Sequence, residues 1–179
     1  MAQKPVPIIL VGKGNEIGRG VIESLKPDYE GNKTPLRPSL LPPISSPAPC
    51  PYHTNLPPVV SYITSREASI AEIPFILNGK APPDPSTTLG SGNLADRPVV
   101  IVTGGAFTEG FDDLHDAVEY ACGPTGSGLI WLKSDTSKPG PGVFTAEYPK
   151  SVAERVKSKM GELMEGGEIH HVEGSVHFY

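Results

Sequence analysis

Apolar residues in this chain fall into short, nearly uninterrupted runs that are separated by stretches of helical period. A short apolar run without polar alternation is typical of a parallel strand that is buried on both faces of a sheet. Four runs of this kind are clear, and a weaker one follows towards the end of the chain. The pattern predicts strands at 8–11, 59–64, 99–103 and 129–132, and a final short strand within 168–179.

Between these runs, apolar positions recur every three or four residues, as on one face of an amphipathic helix. The second of the four helices spans 66–77 and contains Pro74. We expect this proline to kink or shorten the helix, because it lacks the amide proton of a helical hydrogen bond. The other three helices are marked by apolar side chains at Ile17, Val21 and Leu25, at Phe111, Leu114, Val118 and Cys122, and at Val152, Val156, Met160 and Leu163.

The alternation of strands and helices predicts an α/β fold. We expect a Rossmann-like three-layer sandwich, with a mainly parallel sheet of about five strands and helices on both faces. Sheets of this kind bind ligands beyond the carboxyl ends of their strands, at the point where the strand order reverses. The turn after the first strand, residues 12–18, is therefore the first candidate site.

One segment interrupts this alternation. Prolines break every candidate element between residues 31 and 58, and no apolar period survives there. Deletion of the segment would leave a short loop between the first helix and the second strand. We therefore interpret residues 1–179 as a single domain in which 31–58 is a proline-rich, disordered insertion, either a natural loop or translated non-coding sequence. A natural linker that presents polyproline ligands is the alternative.

Composition narrows the classes of function. The net charge of −5 and the absence of clustered Lys and Arg argue against a nucleic-acid binder. No apolar run is long enough to span a membrane, and the N-terminus lacks the pattern of a signal peptide, so we expect no membrane partner and a cytoplasmic location. Composition does not decide whether the chain forms a homo-oligomer or binds a protein partner. With 21 prolines and 20 glycines among 179 residues, much of the chain is expected to be loop.

The turn between the first strand and the first helix is rich in glycine. Glycines let a ligand approach the backbone closely, and the amide groups at a helix N-terminus attract an anion. We therefore predict that this turn binds the pyrophosphate of a dinucleotide; a tight turn without a ligand is the alternative. The predicted contacts are Gly12, Lys13, Gly14, Asn15, Glu16, Ile17 and Gly18, together with Gly104 and Gly105 after the third strand.

The same stretch resembles the short-chain dehydrogenase/reductase superfamily in two registers. In one, Gly14, Gly18 and Gly20 match the G-x-x-x-G-x-G of that superfamily. In the other, the run from Gly12 resembles the G-x-x-G-x-x-G-R of its extended and atypical members, with Asn15 in place of the middle glycine. The resemblance covers the N-terminal part of the superfamily, and it implies a truncated or atypical member with a dinucleotide site.

The resemblance does not extend to catalytic residues. Carbonyl-reducing members use a Tyr-x-x-x-Lys pair, in which the lysine lowers the pKa of the phenol. Tyr29 and Lys33 have this spacing but come too early in the chain, and Tyr148 is followed by Val152. Three interpretations stay open: an atypical oxidoreductase with an unknown small-molecule substrate, a catalytically inactive protein that senses the cofactor or binds a partner, and a flavodoxin-like domain that binds another phosphate ligand.

The residues after the second strand bear on the choice of dinucleotide. Enzymes that prefer NAD usually place Asp or Glu there, whereas this chain has Ser65 and Arg66. A guanidinium can bind the 2′-phosphate of NADP in bidentate fashion, and Lys13 adds a second positive charge. We therefore expect NADP, with NAD as the alternative. A helix cap at Ser65 and a solvated Arg66 are the other interpretation.

Two further groups of polar residues complete the candidates. Ser134 and Asp135 directly follow the fourth strand, where pocket residues are expected. The second group comes near the end of the chain and consists of His170, His171, Glu173 and His177. Its spacing fits no established metal-ligand motif, so we predict no metal site there.

Overall fold

The computed structural model describes residues 6–26, 59–126, 128–166 and 174–179. Within these ranges, strands and helices alternate along the chain. The strands are β1 (Ile8–Val11), β2 (Val59–Ile63), β3 (Val100–Thr103), β4 (Ile130–Lys133) and β5 (Val176–Phe178). The α-helices are α1 (Asn15–Leu25), α2 (Arg66–Leu77), α3 (Phe111–Cys122) and α4 (Glu147–Glu165). Short 3₁₀ turns at Gly105–Phe107 and Gly123–Thr125 lie between them.

The five strands form one parallel sheet in the order β2-β1-β3-β4-β5. β1 therefore lies between β2 and β3, and the chain crosses from one side of β1 to the other after β2. The crevice beyond the carboxyl ends of β1 and β3 is the topological switch point of the sheet. The predicted α/β class, a Rossmann-like three-layer sandwich with a five-stranded parallel sheet, is confirmed.

Helices cover both faces of the sheet, and this explains why the strands are apolar on both faces. Alternate residues of β1 belong to different cores. Ile8 and Leu10 pack in the core that α1 and α4 cover, and Ile9 and Val11 pack in the core that α2 and α3 cover. Burial of each such side chain stabilises the fold by about 2 kcal/mol relative to leaving it exposed.

Residues 81–98 cover the outer edge of β2. The carbonyl of Leu89 accepts a 3.0 Å hydrogen bond from the amide of Tyr62. The amides of Ser91 and Gly92 donate to β2 carbonyls at 2.8 and 3.0 Å. The segment thus satisfies backbone groups that would otherwise be unpaired at the edge of the sheet.

The expected shortening of the second helix does not occur. α2 continues through Pro74 to Leu77. Ile73, before the proline, and Ile76, after it, are buried in the same core, and this packing holds the last turn despite the missing amide proton. The side chain of Asn78 also donates a 2.7 Å hydrogen bond to the carbonyl of Pro74.

The other predicted elements differ from the observed ones by small shifts of their ends. The insertion predicted at 31–58 lies outside the described residues, and so does the stretch 168–173 before β5. No helix in the described ranges is long and apolar enough to cross a membrane.

Two glycines of the segment that covers β2 make a matched pair for a stability test. Gly90 has a φ of +121°, and a Cβ there would lie 2.5 Å from the carbonyl oxygen of Val60; Gly92 has a φ of +64° and no atom within 4 Å of such a Cβ. We expect Gly90→Ala to lower the free energy of unfolding by about 3 kcal/mol, and Gly92→Ala by about 1 kcal/mol through backbone strain alone. Chemical denaturation measures both losses, and equal losses would contradict the close approach of Gly90 to β2.

Candidate functional site

The side chain of Tyr62, in β2, packs directly on the glycine turn between β1 and α1. Its hydroxyl donates a 2.9 Å hydrogen bond to the carbonyl of Gly14. A Cβ at Gly18 would lie 2.4 Å from the ring, and one at Gly12 would lie 3.0 Å from the hydroxyl oxygen. Glycine fits at position 18 because the ring fills the space that a side chain would need. Burial raises the pKa of Tyr62 to about 12, so the phenol remains a neutral hydrogen-bond donor.

Gly14 ends this turn and begins α1. Its φ of 89° is a backbone conformation that other residues rarely adopt. Because glycine has no side chain, the first amide groups of α1 have no side-chain cap at this position. The start of the helix is thus arranged to attract an anion.

A cavity of about 710 Å³ lies at the carboxyl ends of β1, β3 and β4. Gly12, Gly104 and Ser134, which directly follow these three strands, line it, and α1, Tyr62 and α4 contribute to its walls. Its volume is typical of a small-molecule site. The apolar part of the lining consists of Leu10, Val11, Ile17, Val21, Val102, Ala106, Pro141, Val143, Phe144 and Val152.

Positive side chains predominate among the charged residues of the cavity. Lys13, Lys138 and Arg155 line it, against the carboxylate of Asp135. Hydrogen bonds from Ser137 hold the pKa of the Asp135 carboxyl below its usual value, and Lys138 Nζ lies 3.5 Å from that carboxyl. Lys13 and Arg155 form no ion pair among the residues that the structure describes. The lining side chains are therefore positive overall in a chain of net charge −5.

Two neighbouring glycines line the cavity between the glycine turn and Ser134. A Cβ at Gly104 would lie 3.7 Å from the Cα of Gly12, beside the glycine turn. A Cβ at Gly105 would lie 3.7 Å from Ser134 Oγ and 3.8 Å from the hydroxyl of Tyr148. Neither glycine places a side chain in the path from the glycine turn to these two hydroxyl groups.

Tyr179 forms the wall next to Ser134. Its hydroxyl donates a 3.0 Å hydrogen bond to the carbonyl of Thr103, and its backbone pairs with Lys133 and Asp135. Burial raises the pKa of Tyr179 to about 12, and a hydrogen bond with Ser134 opposes this shift. At neutral pH the phenol therefore stays protonated and fixed in place.

Most of the predicted contacts meet at this cavity. Gly12, Lys13, Gly14, Ile17, Gly18, Gly104 and Gly105 line it, and so do the predicted pocket residues Ser134 and Asp135. Asn15 and Glu16 are exposed in the first turn of α1 and do not belong to the lining.

Ser65 and Arg66 also lie outside the cavity lining. The hydroxyl of Ser65 accepts a 3.1 Å hydrogen bond from the amide of Ala68, so this residue is the N-cap of α2. Arg66 Nη1 lies 3.5 Å from Asp113 Oδ2 at the protein surface. The capping role of Ser65 agrees with the alternative interpretation of this pair of residues.

Comparison with known proteins finds a distant similarity. The chain is 29% identical over 174 residues to Kojic acid related protein 6 of Aspergillus oryzae (strain ATCC 42149 / RIB 40), and the match covers 97% of this chain and 86% of that protein. No family model matches the chain, and no solved structure matches it significantly.

Sequence reasoning misses six polar residues that line the cavity: Tyr62, Thr136, Lys138, Tyr148, Arg155 and Tyr179. In the sequence, Tyr148 is considered only as the tyrosine of a Tyr-x-x-x-Lys motif that lacks its lysine. Val152, at the lysine position, is buried in the core. Tyr148 and Arg155 are separated by about two helical turns and therefore share a face of α4. That spacing is the signal that could have identified them.

Of the three histidines near the end of the chain, His177 belongs to the described residues. His170, His171 and Glu173 lie outside the described residues, and Nε2 of His177 lies 2.9 Å from Ser175 Oγ. In the part of the chain that is described, no group of three or more His, Cys, Asp or Glu side chains could hold a metal ion.

The contact between Tyr62 and the glycine turn predicts opposite effects for two helical glycines. In Gly18→Ala the added methyl group must displace the Tyr62 ring, so we expect the free energy of unfolding to fall by about 2 kcal/mol. Gly161, in α4, has no atom within 4 Å of such a methyl group, so Gly161→Ala should raise it by about 0.5–1 kcal/mol. Chemical denaturation of both variants measures these changes, and a stabilising effect of Gly18→Ala would contradict the described contact.

Proposed function

We propose that this protein binds a dinucleotide cofactor, with NADP(H) as the preferred form, in the cavity beside residues 12–18. The observation that carries the proposal is the cavity itself, which combines a glycine turn, the uncapped start of α1 and excess positive charge with a largely apolar lining. Amide groups at a helix N-terminus bind phosphate, and apolar walls bury the rings of a nucleotide.

The glycine turn supports a position for the pyrophosphate. Phosphate oxygens would lie against the backbone of Gly12 and Gly14, with Lys13 as the nearby cation. One half of the dinucleotide would extend across Gly104 and Gly105, where no side chain interferes. The phenol of Tyr62 supports the turn from the side of β2, so the turn is already ordered before a ligand arrives.

Arg66 supports NADP(H) over NAD(H), although it does not line the cavity. Its ion pair with Asp113 is exposed to solvent, with 40% and 75% of the two side chains accessible. An exposed pair of this kind contributes at most about 1 kcal/mol. The 2′-phosphate of NADP(H) would be a stronger partner, because a guanidinium binds phosphate in bidentate fashion.

The strand order supports a second candidate ligand. The order β2-β1-β3-β4-β5 is that of flavodoxin-like folds, in which FMN binds at the switch point between β1 and β3. The same turn and the same cations would bind the phosphate of FMN. Parallel titrations with NADPH, NADH and FMN distinguish the two ligands.

Two kinds of protein would bind a dinucleotide in this way. An atypical oxidoreductase would need an acid other than a Tyr-Lys pair, since Val152 is buried where the lysine would be. A protein that only senses the cofactor would need no catalytic acid. Oxidation of NADPH in the presence of a panel of carbonyl compounds separates the two.

A carboxylate at the glycine turn should prevent dinucleotide binding. We expect Gly14→Asp to weaken NADPH binding by about tenfold or more, because the added charge lies where the phosphate binds. Gly92→Asp is the matched control, since Gly92 also has a positive φ and open space around it but lies outside the cavity lining. Isothermal titration calorimetry measures both affinities. Equal affinities of the two variants for NADPH would contradict the assigned site.

Selection of NADPH over NADH should depend on Arg66. We expect Arg66→Ala to weaken NADPH binding by about tenfold and to leave NADH binding unchanged, because only NADPH carries the 2′-phosphate. Asp113→Ala removes the same surface ion pair but keeps the guanidinium, so NADPH should bind this variant as tightly as the unmodified protein or more tightly. If Arg66→Ala weakens both ligands equally or neither, Arg66 does not select the cofactor.

A further inference from the structure

The end of the cavity beside Gly105 holds polar groups that the pyrophosphate does not use. Nε of Arg155 donates a 3.4 Å hydrogen bond to the carbonyl of Ser151 within α4. Its terminal amino groups form no ion pair with any described residue. In the described part of the chain, the hydroxyl of Tyr148 makes no side-chain hydrogen bond. The terminal amino groups of Arg155 and the hydroxyl of Tyr148 thus line the cavity without a hydrogen-bond partner among the described residues.

The surroundings of Arg155 favour an anionic partner of specific shape. Arg155 is partly buried, and the loop before α4 approaches its guanidinium, since a Cβ at Gly140 would lie 3.7 Å from Nη2. A partly buried guanidinium without an ion pair is stabilised by a ligand that supplies the opposite charge and accepts its hydrogen bonds. The two free amino groups of a guanidinium match the two oxygens of a carboxylate.

We propose that this end of the cavity binds the carboxylate of a small organic acid. Arg155 pairs with the carboxylate, Tyr148 donates a hydrogen bond to it, and Val143 and Val152 contact the apolar body of the acid. This inference builds on the proposed function, because the acid would be a second ligand that lies next to the dinucleotide.

The positions of the two neighbouring glycines separate the acid from the pyrophosphate. Gly104 lies beside Gly12 of the glycine turn, whereas Gly105 lies beside Ser134 and Tyr148. The turn has its own cation in Lys13, so Arg155 is not needed there. The cavity lining thus offers one cation in the glycine turn and another on α4, neither in an ion pair with a described residue, and two separate anionic groups would suit them.

Benzoate and benzamide test the proposal, because they share size and shape and differ in charge. Isothermal titration calorimetry on the full chain without dinucleotide should detect benzoate with a dissociation constant on the order of 1 mM. Benzamide should bind at least tenfold more weakly. Equal binding of the two probes, or no binding of benzoate, would overturn the proposal.

Four variants assign the site. Arg155→Gln should weaken benzoate binding by at least tenfold, and Tyr148→Phe should weaken it by a few-fold. Arg155→Lys should retain part of the affinity for benzoate, because it keeps the charge and the aliphatic stem. Arg19→Gln, at an exposed position on α1, is the matched control for loss of a positive charge. Unchanged benzoate binding in Arg155→Gln would overturn the proposal.

Titration of the same variants with NADPH separates this proposal from the previous one. If benzoate binds through Arg155 while NADPH does not bind at all, the acid site stands and the dinucleotide site fails. If Arg155→Gln abolishes NADPH binding and benzoate does not bind the unmodified protein, Arg155 contacts the dinucleotide and the acid site fails. Retention of NADPH binding in Arg155→Gln with loss of benzoate binding supports both sites.

Discussion

The shape of the cavity depends on one contact, between the ring of Tyr62 and the turn that joins β1 to α1. The ring fills the space beside Gly12 and Gly18, and its hydroxyl bonds to the carbonyl of Gly14. Because Tyr62 belongs to β2, the contact fixes the turn to the neighbouring strand, and α1 begins close to the sheet. The start of α1 therefore faces the switch point in a fixed orientation, which lowers the entropic cost of ordering it around a ligand.

The distribution of charge makes the cavity favourable for anionic ligands. Although the whole chain is acidic, the side chains that line the cavity are positive overall. The carboxylate of Asp135 already has partners in Ser137 and Lys138, so it does not neutralise the other cations. Lys13, in the glycine turn, and Arg155, on α4, both line the cavity without an ion pair among the described residues. An elongated ligand with two anionic groups, or two anionic ligands that share the cavity, would satisfy both cations.

The sequence predicts the parts of this arrangement that depend on local pattern. Apolar runs of strand length and the glycines of residues 12–18 identify the parallel sheet and its first turn without any knowledge of packing. The role of Tyr62 depends on a contact with a residue 48 positions away, and that of Arg155 on where α4 packs, so neither is visible in a local window. The effect of Pro74 is also not predictable from local sequence, because burial of the residues around it outweighs the low helix propensity of proline.

The most direct test of the central claim is a titration of isotope-labelled protein with NADPH, followed by amide resonances in NMR spectra. Glycine amides are well suited to it, because four of them line the proposed path of the dinucleotide: Gly12, Gly14, Gly104 and Gly105. We predict that these resonances shift and saturate together, while Gly79 and Gly92, which lie outside the cavity lining, do not. Shifts confined to other parts of the chain, or no shift at saturating NADPH, would contradict a dinucleotide site at the switch point.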